Sequence, residues 1–202
     1  GAGIVGVIPG RTARFLAGGM HEVYDEEGVL QVRMSYPHSG QRAEGQSTLE
    51  VTLAGQNHIR IAGLMHEPED PNAPVMMAEP MGMVKLFVRT GVGVVRQVYQ
   101  SYRKRMADWG MPGKDIAAAI VHHANLKINQ LKEKHLQKEG IQFPMPWLLR
   151  EFGNVSAASN MIAFLRKLTG LKPLDHILFD GFGAGTYYDV LAVELGGDAA
   201  AG

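Results

Sequence analysis

The sequence predicts an α/β layered domain. Three observations predict it. Apolar runs of strand length alternate with longer stretches in which apolar residues fall three and four apart. Gly, Pro, Asn and Asp punctuate the joins. The chain has 202 residues, 46% hydrophobic and 20% charged, enough to bury one core of ordinary composition.

The elements follow in order. Residues 3–9 are small and apolar and read as a buried strand. Residues 13–24 and 29–35 are further strand-like segments, turning on Asp25-Glu26-Glu27-Gly28. Residues 37–46 are polar and read as a surface loop. Residues 48–53 and 58–62 alternate about Ala54-Gly55-Gln56-Asn57, which reads as a hairpin. Pro68, Pro71 and Pro74 make residues 66–75 irregular. Met76-Met77, Met81 and Met83 read as gap-filling core or as lining for an acyl chain.

From about Gly82 the spacing of Val84, Phe87, Val88, Val92, Val95, Val98 and Tyr99 predicts a helix to about Trp109. Gly91 and Gly93 inside it are expected to be packing contacts rather than breaks. Met111-Pro112-Gly113 ends it. Residues 116–121 read as a short apolar strand, and a helix follows over about 124–138. Residues 143–152 connect to a helix over 156–168 with a small-residue start. Pro173 precedes a strand over 175–179. Asp180-Gly181-Phe182-Gly183-Ala184-Gly185 turns the chain into a last strand over 187–195, and 196–202 reads as a frayed tail.

Composition excludes several function classes. Twenty basic and twenty acidic residues leave no net charge, so there is no nucleic-acid footprint. Arg103-Lys104-Arg105 reads as a solvated helix face or a contact for an acidic partner. The absence of Cys rules out disulfides, thiolate metal sites and a Cys nucleophile supplied by this chain. No apolar run approaches the roughly 20 residues of a membrane span. The start lacks a basic n-region and reads like the middle of a fold with its preceding context removed, not a signal peptide. The expected location is cytoplasmic.

Two polar residues stand out at the ends of apolar runs. His122 follows the 116–121 strand in Val121-His122-His123-Ala124-Asn125-Leu126-Lys127-Ile128. Strand ends open onto the crevice in open α/β folds, and a neutral imidazole there can donate to a developing oxyanion. A hydrogen-bonded core His is the plainer alternative. His123 is expected to point the other way, so neighbouring His residues do not make a metal site. Asn154, in Gly153-Asn154-Val155-Ser156-Ala157-Ala158-Ser159, is either a second donor or a helix cap. The backbone N–H groups of Gly183, Ala184 and Gly185 suit an oxyanion. Ser156 and Ser159 lack an implied acid–base partner.

Taken together, these three motifs resemble the C-terminal half of a β-ketoacyl-acyl carrier protein synthase III, a condensing enzyme of the thiolase fold. The resemblance extends to Gly1-Ala2-Gly3 and is strongest from His122 to Leu195. It implies a C-terminal thiolase-like half-domain over 1–202, one half of an αβαβα layered body, with a mixed sheet packed by helices and a loop or hairpin insertion at about 37–75. It implies that the Cys-bearing N-terminal half is absent from this chain and is supplied by a partner chain or segment. His122 and Asn154 then correspond to the catalytic His and Asn of decarboxylative Claisen condensation. The Gly183-Ala184-Gly185 backbone completes an oxyanion hole. Lys127 stands where the family places an Arg that receives carrier protein or CoA, and Asn125 lies in the same motif. Implied substrates are acyl-CoA or acyl carrier protein thioesters, with no metal and no other cofactor, in fatty-acid or polyketide-like synthesis. A dimer of the two-half unit is expected.

The sequence departs from the family at His123, usually Gln, and at Met77-Ala78-Glu79-Pro80-Met81. Acyl transfer to an alcohol or amine without decarboxylation, and a non-catalytic subunit of a condensing enzyme, are the alternative functions.

Overall fold

A computed structural model describes residues 13–22, 34–35, 58–60, 76–78, 80–148, 150, 154–155, 158–183 and 187–196. In chain order the elements are strands β1 (Ala13–Glu22), β2 (Met34–Ser35), β3 (His58–Arg60) and β4 (Met76–Ala78), helix α1 (Pro80–Asp108), strand β5 (Ile116–Val121), helices α2 (Leu126–Lys138) and α3 (Ala158–Leu168), and strands β6 (His176–Gly183) and β7 (Tyr187–Leu195). The chain divides into two compact units, residues 1–21, 88–182 and 188–202, and residues 22–87 and 183–187.

The second unit holds a three-stranded sheet in the order β2-β4-β3. Both pairings are antiparallel, with Met34 and Ile59 each opposite Met77. The expected hairpin partner of β3, residues 48–53, lies outside the described residues. β3 pairs with β4, whose Met76 and Met77 read in the sequence as gap-filling core or lining for an acyl chain rather than as a strand.

The first unit holds a four-stranded sheet in the order β1-β7-β6-β5. β5 and β6 are parallel, with Ile120 opposite Phe179 and Val121 opposite Asp180. β6 and β7 are joined through residues 184–186, a link that serves only antiparallel neighbours. The sheet is therefore mixed. Helix α3 covers one face, where Ala118, Ile120, Ala163, Ile177, Val193 and Leu195 form a buried cluster. α1 and α2 reach the other face, where Gly91 touches Tyr188 and Lys132 bonds it.

Local chemistry sets the helix ends. Val88, Val92, Val95, Val98, Tyr102 and Met106 put one buried stripe along α1. The helix stops at Gly110, whose φ of 72° is the left-handed conformation that glycine adopts without strain. The Met111 N–H then reaches Met106 O at 2.8 Å and the Gly110 N–H reaches Ala107 O at 3.0 Å. The stop is Gly110, not the expected Met111-Pro112-Gly113. Gly140, φ 75°, closes α2 in the same way on Leu136 and Gln137. Asn125 opens α2: its extended backbone and Oδ1, which accepts the Lys127 N–H at 2.8 Å, are those of an N-cap.

Residues 3–9, 25–28 and 37–46 lie outside the described residues, so their expected structures are not described. β6 extends through Gly181, Phe182 and Gly183, where the sequence reading expected a turn.

Candidate active site

β5 and β6 run parallel, and their C-terminal ends meet beside the start of α2. His122 is the first residue beyond β5. Its N–H donates to Asp180 O at 2.9 Å, which continues the strand pairing by one residue. Its carbonyl accepts from Asn129 Nδ2 at 3.0 Å, so the first turn of α2 holds it from the other side. The imidazole is half-buried and stands edge-on to Phe182, with centroids 5.2 Å apart and planes at 78°. Among the described residues no hydrogen bond occupies either ring nitrogen. Burial lowers its pKa below the ordinary 6.5. His123 and Lys132 lower it further, and Asp180 opposes them. With its pKa below 6.5 the ring is neutral at pH 7.

His123 does not share this role. It is fully buried and stacks on Trp147 at 4.6 Å. Its Nε2 accepts the Leu148 N–H at 2.9 Å, which fixes the proton on Nδ1, where it is donated to Val121 O at 2.7 Å. Both ring nitrogens are therefore occupied, in agreement with the expectation that the two His residues diverge. Desolvation holds this pKa below normal too, and the bond to Val121 O opposes the shift.

Asn154 is exposed, ahead of α3 in the chain. The described part of α3 runs from Ala158 to Leu168. The Val155 N–H donates to Ser159 Oγ at 3.3 Å. Asn160, in the first turn of α3, donates from Nδ2 to Asp180 O at 3.0 Å. One carbonyl, that of Asp180, thus takes the His122 N–H and the Asn160 amide together. The His122 motif and the helix that follows the Asn154 motif are anchored at a single atom.

The other expected residues fall as follows. Asn125 is the cap of α2, and its Oδ1 is spent on that bond. Lys127 is exposed in the first turn of α2. Gly183 ends β6, and a Cβ there would stand 2.9 Å from the exposed Tyr187 ring, so a larger residue requires that ring to shift. Ala184 and Gly185 lie outside the described residues.

Sequence reasoning missed Lys132, Asp180 and Tyr188, which are buried and mutually bonded beside His122. One signal was present: Ile128, Lys132 and Leu136 share a helical stripe, and a Lys on an apolar stripe needs a buried anion. Among the described residues no group of three His, Cys, Asp or Glu is placed to hold a metal ion. An open groove of about 320 Å³ along α1, lined by Arg96, Tyr99, Arg103, Glu139 and Ile141, contains none of the site residues. Its cations are already engaged: Arg96 pairs with Glu139 at 2.6 Å, and Arg103 donates to the Pro112 and Lys114 carbonyls.

The mixed sheet, helices on both faces and polar residues at parallel strand ends define an α/β protein. Residues 106–195 match the family described as 3-oxoacyl-[acyl-carrier-protein (ACP)] synthase III C terminal. That segment spans both motif helices, β5, β6 and β7, and it bears out the resemblance to the C-terminal half of a synthase III-like condensing enzyme.

Solved structures agree on the fold. The chain superimposes on 3-oxoacyl-[acyl-carrier-protein] synthase III from Aquifex aeolicus VF5 with a TM-score of 0.54 and 19% identity, covering 91% of this chain and 45% of that one. For the synthase III from Pseudomonas aeruginosa PAO1 the values are 0.54, 16%, 90% and 44%. For the priming β-ketosynthase of the R1128 polyketide biosynthetic pathway they are 0.51, 18%, 82% and 44%. The chain thus spans less than half the length of the structures it matches. No curated protein sequence matches it. No helix among the described residues is long and apolar enough to cross a membrane.

Proposed function

We propose that this chain supplies the donor half of a decarboxylating condensing site. A second half, on a partner chain or a preceding segment, supplies the Cys that this sequence lacks. The Cys would carry the acyl group. His122 Nε2–H and the Asn154 amide would bond the thioester oxygen of a malonyl unit, stabilising the enolate left when CO2 departs, and that carbanion would attack the acyl carbonyl, breaking its C–S bond and releasing the partner's Cys as thiolate. The backbone at Gly183-Ala184-Gly185 would receive the acyl carbonyl oxygen. Lys127 and Asn125 lie on the exposed start of α2, and Lys127 would meet the phosphate-bearing carrier or CoA. Substrates would be CoA or carrier-protein thioesters, with no further cofactor, and two copies of the two-half unit would form the assembly.

The observation that carries this reading is His122 itself. Its backbone is held on both sides, its ring is neutral, and among the described residues no hydrogen bond occupies its nitrogens. A core histidine such as His123 has both nitrogens engaged.

The test begins with the native mass of the complex isolated gently, followed by the denatured masses of its chains. A Cys-containing partner in fixed ratio is expected. Acyl-CoA and malonyl thioester given to that complex should yield CO2 and a β-ketoacyl product. His122→Ala and Asn154→Ala should each cut turnover about 10²–10³-fold while acylation of the partner Cys persists. Unchanged turnover in both variants would refute the assignment. Ester or amide formation without CO2 would replace condensation with simple acyl transfer.

A further inference from the structure

Next to His122 lies a closed cluster of three buried polar side chains from three elements: Lys132 of α2, Asp180 of β6 and Tyr188 of β7. Lys132 Nζ donates to Asp180 Oδ2 at 2.5 Å and to the Tyr188 hydroxyl at 2.7 Å. The Tyr188 hydroxyl donates to Asp180 Oδ1 at 2.6 Å. A buried ion pair is a poor way to gain stability, because desolvating both charges offsets their attraction and an apolar set of equal volume packs as well. Core formation alone does not account for it.

Each member of the cluster leads to His122 in one further step. Asp180 accepts the His122 N–H on its own carbonyl. Lys132 sits one turn beyond Asn129, which bonds the His122 carbonyl. Tyr188 stacks on Phe182 at 5.4 Å with planes 14° apart, and Phe182 stands edge-on to the imidazole. The Lys132 ammonium also lies 5.8 Å from the Phe182 centroid.

We propose that Lys132, Asp180 and Tyr188 form the positioning frame of His122, locking α2, β6 and β7 together at the strand ends and balancing opposite charges around the imidazole. The three are positioning residues and need not touch substrate. The proposal rests on the reading of His122 as the functional group. Among the described residues, Asp180 from β6 favours protonation of the ring, while Lys132 from α2 and the adjacent His123 oppose it. Tyr188 from β7 stays neutral, its hydroxyl pKa pushed well above 10 by burial and by Asp180.

The test is the NMR titration of the His122 ring in the full 202-residue chain, compared among wild type, Lys132→Met, Asp180→Asn and the double variant. Lys132→Met leaves Asp180 unbalanced, and the His122 titration should move to higher pH. Asp180→Asn leaves Lys132 unbalanced, and the titration should move to lower pH. The double variant should return close to wild type. A role confined to packing gives no such opposition of sign. The neutral double variant keeps the shape of the cluster without an unpaired buried charge, so it tolerates folding where a single variant does not. One folded single variant compared with the double then gives the same sign. Titrations that coincide in all variants, or that move the same way in both single variants, would overturn the proposal. Loss of condensation in His122→Ala is scored separately: if activity survives there, the reading of the site fails whatever the titrations show.

Discussion

Gly91 and Gly93 sit two residues apart on α1, and replacing each by Ala should have opposite effects. Ala is favoured over Gly in a helix interior by about 1 kcal/mol. At Gly93 a Cβ would meet nothing within 4 Å, so Gly93→Ala should gain about that amount. At Gly91 the same Cβ would stand 2.6 Å from the Tyr188 hydroxyl and 2.7 Å from two of its ring carbons. Tyr188 cannot move aside cheaply, because its hydroxyl is bonded to Lys132 and Asp180 and its ring is stacked on Phe182. Overpacking a rigid core costs about 1–3 kcal/mol. Disturbing a buried charged hydrogen bond costs about 1–3 kcal/mol more. Against the gain in helix propensity, Gly91→Ala should lose about 1–5 kcal/mol net. Urea unfolding of both variants measures the difference, and in a domain of this size each kcal/mol moves the thermal midpoint by about 2–4 °C. If Gly91→Ala stabilised the protein as much as Gly93→Ala, the contact with Tyr188 would not exist as described.

Other predictions follow from single observations. Leu174 has φ of 67° on an exposed turn, while its N–H still bonds Leu195 O, so Leu174→Gly should relieve strain and stabilise by up to about 1 kcal/mol in urea unfolding. A loss of stability there would mean the side chain matters more than the backbone. Tyr102 bonds His176 Nδ1 at 2.7 Å in the buried interior, and Tyr102→Phe, which leaves that nitrogen unpaired, should cost about 1–3 kcal/mol in the same assay; no change would show that the bond is not needed. His122, His123 and His176 all have pKa values held below 6.5, chiefly by burial. The unfolded chain therefore binds more protons as pH falls below about 6.5, so stability is complete above that pH and declines below it. Equal urea midpoints at about pH 7.5 and about pH 5.5 would contradict this.

Local pattern determined much of this protein. The strands Ile116–Val121 and Tyr187–Leu195 and the helices α1 and α2 stand within about two residues of where periodicity puts them, because each buries a stripe whose spacing repeats along the chain. The three motifs that resemble a synthase III were also legible, because each is a contiguous run of residues. What depends on distant partners was not. Gly91 and Gly93 are equivalent in sequence, and only the packing of Tyr188 against α1 separates them. β6 runs on through Gly181 to Gly183, beyond its last pairing with β5 at Asp180, where the local residues suggested a turn. His122 and His123 are adjacent and chemically identical, yet Leu148 and Val121 occupy one ring, while among the described residues no hydrogen bond occupies the other. Lys132 finds its counter-ion on β6 and its hydroxyl partner on β7. A sequence specifies which side chains are apolar and at what spacing. Charges and hydrogen bonds are satisfied across the fold, so only the tertiary structure decides which polar residue supports the site and which one is free to act in it.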